Sequence, residues 1–427
     1  MYLYSRTARP LKESDGSGPK AFYLNRKVLL AVWVLLLPLL HLATDFANGR
    51  INNYKIFRQV YFHLIQQQPL YTPYPAQYDD INHYGPLFAF VMAPFAMLPD
   101  VAGVLLWNIG NAAFLFYVLT RTAMRKHQQN LVIALTSVEM ANAMWSTQFN
   151  SAVVGMMVLT LVLVEEGKDF KATLLIMLSA FVKIYGVLGL MFFLFSKKKK
   201  EFVLGCAFWF AVCLVLPMLF TSPGYILQTY REWFAELSVK NALNISLSSS
   251  QDASIPGMLR RILHQPFRSG LPFLVPGALL LLAPLVRVRQ YASAQFRYYM
   301  VASMLLFISL FSSGSEHPTF IVGMTGGAIW LSYHIAEKRT AGFRWLIPFV
   351  LVFAGLGPTD LFTKEFRVFM INYSLKALPF AILWGGLLKD LLLQDFVSPE
   401  KSMLRYVARQ KKASGGLLRA GEPGANA

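Results

Sequence analysis

Charge is scarce in this sequence. Only 15% of its 427 residues are Asp, Glu, Lys or Arg, while 55% are hydrophobic. The length alone would suggest two or three soluble domains, but a soluble fold cannot hide that much apolar side chain, whereas lipid requires no hiding. Acidic residues are scarcer still, 22 against 40 Lys and Arg, which leaves a net charge of +18. No RNA- or DNA-binding module accompanies the excess, so a nucleic-acid partner is set aside, and the basic residues read as cytoplasmic loops of a membrane chain. Cysteine is nearly missing: Cys206 and Cys213 lie seven apart in one apolar run, on one helix face, with no disulfide partner. There is no zinc or haem spacing, so no metal site is expected, and no nucleotide-binding loop. What is plentiful is aromatic: 34 Phe, 19 Tyr and 8 Trp, the residues that settle at membrane–water boundaries.

The fold class that follows is all-α, a polytopic integral membrane protein with about twelve transmembrane helices and little soluble domain. Residues 1–27 are polar and end in Arg26-Lys27; Val28 to Ala43 is a first span, read as uncleaved with its N-terminus inside. Residues 46–85 form a first extracytoplasmic loop, and Tyr54, Phe57, Val60, Tyr61 and Leu64 recur at helical spacing, predicting a short interfacial helix over 52–67. Pro86 to Leu119 is too long for one helix and breaks at Pro94 and Leu98-Pro99-Asp100 into a short span and a fuller one. Apolar runs follow at about 130–147, 150–164, 172–196, 202–221, 271–286, 298–312, 319–336, 344–357 and 375–393. The spanning domain is thus 28–395, with a second outer loop over 222–270 and a basic cytoplasmic tail, partly disordered, over 396–427.

Charge sets the orientation. Lys197–Lys200, Arg287–Arg289, Glu337–Arg339 and the tail from Lys401 to Arg419 all fall on one side, the cytoplasmic one, when twelve spans alternate. That count leaves Arg121–His127 facing outward, against the rule; a re-entrant segment between 86 and 196 would repair it.

Ionisable groups at or inside a membrane are costly, and each invites a reason. Asp45, at the outer end of the first span, either caps that helix or serves as a general base or ion ligand. Lys183, in Ser179-Ala-Phe-Val-Lys-Ile-Tyr-Gly, either snorkels or offers its charge to an anion such as a phosphate. His317, beside Glu316 at an outer mouth, cannot hold a metal by itself. Glu139 and Asn142, with Gln148 and Asn150 shortly after, read as hydrogen-bonding glue between helices rather than as a site, and Gly323 with Gly327 as close packing. Arg260 and Arg261 stand near the membrane on the outer side, suited to an anionic head group or to an amphipathic surface helix. Collected on the outer face, one carboxylate and several cations suit transfer chemistry on a lipid-linked phosphate.

Several strings resemble glycosyltransferase family 87: Thr44-Asp-Phe, His83-Tyr-Gly-Pro-Leu-Phe, Leu106-Trp-Asn, Gln148-Phe-Asn, Phe181-Val-Lys-Ile, Ser250-Gln-Asp-Ala-Ser-Ile-Pro-Gly-Met-Leu-Arg-Arg, and Ser315-Glu-His-Pro-Thr-Phe with Ala328-Ile-Trp beyond it. They run in order from about residue 44 to 330. The resemblance implies a GT-C-type fold and a polyprenyl-phosphate-mannose-dependent mannosyltransferase of the cytoplasmic (inner) membrane, with its active site outside. It implies Asp45 as catalytic base, and an inverting displacement on a polyprenyl phosphate carrying mannose or another sugar, with a glycolipid or glycan as acceptor. By the same analogy Lys183, His317 and Arg260 or Arg261 neutralise the lipid phosphate, Gln148 and Asn150 shape the cavity beside Glu316, and Tyr84 serves a sugar site. Two departures stand out: Gly85 replaces a second proline, and Ile184-Tyr185 follows the lysine where the family often has proline. The expected partners are therefore donor, acceptor and membrane lipids, with no cofactor beyond the donor itself. The rival reading is a transporter or flippase for a lipid-linked or anionic substrate; ionisable groups strung across the membrane and repeat symmetry would favour it, and neither is evident. A purely structural scaffold leaves Asp45 and Lys183 without a purpose.

Overall fold

A computed structural model of the chain describes residues 25–247, 249, 251–265, 269–336, 345–356 and 362–398. The runs Glu337–Arg339 and Lys401–Arg419 and the first 24 residues lie outside them. Every regular element among the described residues is helical.

The first helix, α1 (Arg26–Phe46), is long and apolar enough to span a bilayer. Pro38 has no N–H to donate in its middle, and π turns at Val32–Leu36 and Leu42–Phe46 absorb the misfit; Asp45 lies in the second. Helix α2 (Asn52–Ile65) forms where the aromatic spacing predicts, burying Tyr54, Phe57, Val60 and Leu64. Helix α3 (Phe88–Ala96) has nine residues, or about 14 Å at the helical rise, too short to cross a membrane. It stays beside α2: the Tyr54 hydroxyl donates to the Phe95 carbonyl at 3.0 Å, and Arg58 donates to that of Ala96 at 3.0 Å. Pro99 then starts α4 (Asp100–Arg121), with Asp100 at its positive N-terminal end and 3.4 Å from Arg58.

Helices α5 (Lys126–Trp145), α6 (Asn150–Glu165) and α7 (Asp169–Val182) follow. The run 172–196, read from sequence as one span, breaks instead at Lys183. The chain turns back there as a 3-10 helix, Ile184–Leu194, about 22 Å long at 2.0 Å per residue. Gly186 sits on Ser179 and Ala180, and Gly189 on Ile176, the pairing of an antiparallel hairpin. A Cβ at Gly186 would lie 2.4 Å from the Ala180 nitrogen, so the close approach requires glycine. Then come α8 (Lys199–Leu219), α9 (Pro223–Asn244), α10 (Ile255–Leu263), α11 (Leu271–Val286), α12 (Ala294–Phe311), α13 (Phe320–Ala336), α14 (Leu346–Val350), α15 (Lys364–Asn372) and α16 (Ala377–Leu393). By length and composition α1, α4, α8 and α12 can each cross a membrane, and α15 with α16 make a fifth if their 56° bend belongs to one span. Helices α6, α11 and the 3-10 helix are apolar but shorter.

Side-chain bonds show which helix ends meet. Arg121, closing α4, pairs with Glu166 at 2.5 Å just beyond α6, where Lys168 pairs with it too. Glu165 meets Arg297 near the start of α12 at 2.7 Å, and Arg297 donates to the Tyr291 carbonyl. Lys198 pairs with Glu201 at 3.0 Å, and Glu201 accepts from the Phe170 N–H at the start of α7. Arg287 donates to the carbonyls of Leu391 and Gln394 at the end of α16. Arg26 reaches Gln129 and Asn130 at the start of α5. The segment after Arg121 therefore sits with the described basic groups at Lys198 and Arg287, not opposite them as the twelve-span count required. The reason is α3, which returns without crossing.

Candidate functional site

At the other end of the bundle the hairpin of α7 and the 3-10 helix turns at Lys183. Its ammonium donates to Asn150 Oδ1 at 2.6 Å, in the first turn of α6, and lies 4.7 Å from the Tyr84 ring and 5.6 Å from that of Tyr185. An amide oxygen and two aromatic faces stabilise a cation without neutralising it, so the full positive charge is available to a ligand.

Tyr84 is held on every side. Asn82 accepts from its N–H at 3.0 Å and donates to its carbonyl at 2.9 Å, Tyr71 donates to that carbonyl as well, and Phe88 stacks on its ring at 4.2 Å. Its hydroxyl donates to Gln148 Oε1 at 2.9 Å. Gly85 lets this loop touch α7: its N–H donates to the Val182 carbonyl, and a Cβ there would fall 2.0 Å from the Phe181 oxygen.

Lys183, Tyr84, Tyr185 and Gln148 line a cavity of about 310 Å³, walled also by α9 and by the 312–319 connector between α12 and α13. Trp233, Leu237, Lys240, Asn241 and Asn244 face it from one stripe of α9; Glu316 and Thr319 face it from the connector. Asn150 also donates to the connector, to the Pro318 carbonyl at 3.3 Å and to Thr319 Oγ1 at 3.5 Å. His83, on the rim, has its Nδ1 3.0 Å from Glu236 of α9 and its Nε2 3.8 Å from Asp80, which lies equally far from Lys240. The Trp233 indole donates to the His83 carbonyl at 3.0 Å.

The structure thus brings together Tyr84, Gln148, Asn150, Lys183 and Glu316. The other residues singled out from sequence lie apart from that wall. His317 stands behind it, and its carbonyl accepts from Lys376 at 3.1 Å. The residue is half-buried, and desolvation first, then the charges of Lys376 and Arg261, push its pKa down to about 3. It is therefore neutral at physiological pH, able to hydrogen-bond a phosphate but not to neutralise one.

Arg260 is committed to the protein: it pairs with Asp252, both side chains almost fully buried. Asp252 also accepts from Ser254, which caps α10 by accepting from the Gly257 N–H. Arg261 donates to Ser249, Ile371 and Ser374 and edges a separate cavity, also about 310 Å³, with His264 and Tyr373. Burial lowers its pKa from the ordinary arginine value. Asp45 lines neither cavity; it is half-buried, and its carboxylate accepts from Thr44 at 3.0 Å. It is nonetheless at the cavity's end of the bundle, since His41, one turn earlier, stands edge-on to Trp145 at 6.0 Å, a few residues before Gln148.

Sequence reasoning missed His83, Tyr185, Lys240, Asn241 and Lys376. The stripe on α9 carried a readable signal, because Trp233, Leu237, Lys240, Asn241 and Asn244 recur at helical spacing. Lys376 carried none: its partner Glu139, 2.8 Å away, is far off in the chain. Asn142 donates to Glu139 at 3.2 Å within α5 itself, while the bond that joins separate helices, as the glue reading expects, is the one from Lys376.

The family model described as glycosyltransferase family 87 matches residues 82–313, more than half of the chain and all but Gly314, Glu316 and Thr319 of the cavity wall. No curated protein matches the chain.

Proposed function

The chain belongs to glycosyltransferase family 87 and is a multi-pass membrane glycosyltransferase, and on that premise we propose that it moves mannose from a polyprenyl-phosphate donor to a glycolipid or glycan. The observation that carries this reading is Lys183, an unneutralised cation at the tip of a membrane hairpin, held from behind by Asn150 and opening into a cavity walled by Tyr84, Gln148 and Trp233. A half-buried ammonium among aromatic and amide groups suits one leaving phosphate and a sugar stacked beside it. A GT-C-type bundle of about twelve passages is part of the proposal.

The basic helix ends, Arg26, Arg121, Lys198 and Arg287, gather opposite the cavity. The charge rule makes theirs the cytoplasmic side of the inner membrane, so the reaction is assigned to the extracytoplasmic face. Asp45 takes the acceptor hydroxyl's proton, and the freed oxygen attacks the anomeric carbon from the face opposite the donor phosphate. The sugar–phosphate C–O bond breaks, and its electron pair departs on the polyprenyl phosphate, which Lys183 stabilises. The acceptor lies between the cavity and Asp45. The configuration inverts, and the donor supplies its own activated bond, so no cofactor is called for.

The test uses purified protein in lipid, radiolabelled polyprenyl-phosphate mannose and a membrane-glycolipid extract, with Asp45→Asn alongside. Transfer of label by wild type and not by the folded variant supports both the reaction and the base. Full transfer by the variant removes Asp45 from the mechanism, and donor that crosses the bilayer unchanged replaces the enzyme with a flippase.

A further inference from the structure

We infer that Lys376 and Glu139 are positioning residues whose buried ion pair holds the 316–319 connector in place and, through it, the Asn150–Lys183 contact in the cavity. Lys376 lies in the break between α15 and α16, and Glu139 lies on α5. The ammonium is 2.8 and 3.0 Å from the two carboxylate oxygens, and each side chain is 1% exposed. Asn142 donates to the carboxylate at 3.2 Å, and the Phe320 ring lies 5.1 Å from the ammonium.

Such a pair is a poor device for stability alone, because desolvating two charges offsets most of their attraction; apolar side chains of similar size would tie α5 to α16 as firmly. What apolar side chains cannot do is hold a carbonyl. Lys376 donates to the His317 carbonyl at 3.1 Å. The next two residues, Pro318 and Thr319, supply the oxygens that receive Asn150 Nδ2, and Asn150 Oδ1 receives Lys183. A chain of four polar contacts thus runs from Glu139 to the cavity cation. Neither Glu139 nor Lys376 lines the cavity, so both act through others. Only the identity of the anion at Lys183 rests on the donor reading above.

The test uses the full chain in lipid nanodiscs: the Glu139→Leu/Lys376→Met double variant, Lys376→Arg, and Lys183→Met as control. Thermal unfolding, reductive methylation of Lys183 followed by mass spectrometry, and polyprenyl phosphate binding are read in each. The double variant is expected to melt close to wild type, with methylation of Lys183 accelerated about fivefold or more as its tether loosens. Lys376→Arg, which keeps charge and donors, is expected to keep methylation of Lys183 as slow as in wild type. Binding of polyprenyl phosphate is expected to weaken about tenfold in the double variant, with no further loss when Lys183→Met is added. Unchanged methylation in the folded double variant overturns the inference; should that variant not fold, unchanged methylation in Glu139→Gln does the same. Binding that ignores Lys183→Met overturns the donor reading instead, and the methylation result still decides the positioning role.

Discussion

Lys183 donates to Asn150 at 2.6 Å, joining the tip of one helical hairpin to the first turn of the helix before it. The contact fixes a cation where two helix ends, an aromatic loop and an outer connector converge. Removing the charge while keeping the stem, as in Lys183→Met, is expected to lower kcat/KM by about a hundredfold, the usual scale for one electrostatic group on a developing charge. The cation serves the leaving phosphate, so kcat is expected to fall at least as much as KM rises. Steady-state rates at varied donor concentration check this.

Gly85 is expected to tolerate no side chain. Alanine would set its Cβ 2.0 Å from the Phe181 carbonyl and 2.9 Å from the Trp233 ring. Overpacking of this kind costs about 1–3 kcal/mol or more, and thermal unfolding of Gly85→Ala is expected to show it. Proline would also lose the bond from the Gly85 N–H to Val182, so Gly85→Pro is expected to be worse than alanine.

Arg260 and Asp252 form a buried pair, so breaking one partner is expected to harm folding more than catalysis. Asp252→Asn leaves an uncompensated buried guanidinium and a weakened cap on α10, an effect of about 3–5 kcal/mol. The Arg260→Met/Asp252→Leu variant is expected to regain most of that loss in thermal unfolding. Retained donor affinity in that variant would separate Arg260 from phosphate binding.

His317 shapes the pH dependence of stability. Its folded pKa of about 3 lies below the ordinary 6.5, so between those values the unfolded chain binds a proton that the folded one refuses. Stability is therefore expected to be complete above pH 6.5 and to fall with pH below it, by at most about 1.4 kcal/mol per pH unit. Unfolding of wild type against His317→Gln from pH 8 to pH 4 measures the difference, which is expected to grow as pH drops. Transfer activity is expected to show no ionisation of His317 between pH 5 and 9.

The membrane class and the all-helical fold were legible in the sequence, because hydropathy and the demand for satisfied backbone hydrogen bonds are local properties. Asp45, Gln148, Asn150 and Lys183 could be noticed for the same reason, since polar groups beside apolar runs stand out one at a time; Tyr84, and the cavity roles of Gln148 and Asn150, came from the family resemblance. Topology was only partly legible. Apolar length alone does not distinguish a crossing helix from nine residues that turn back, or one span from a hairpin broken at Lys183; the packing of α3 on α2 and of Gly186 on Ser179 decides both. The division of labour among the cations lay further still from the sequence. Lys183, Arg260, Arg261 and His317 look alike as candidates for a phosphate. In three dimensions Asp252 takes Arg260, backbone carbonyls and Ser374 take Arg261, and desolvation, reinforced by Lys376 and Arg261 nearby, keeps His317 neutral. A charge becomes available to a ligand only when no partner has claimed it, and those partners arrive from distant parts of the chain.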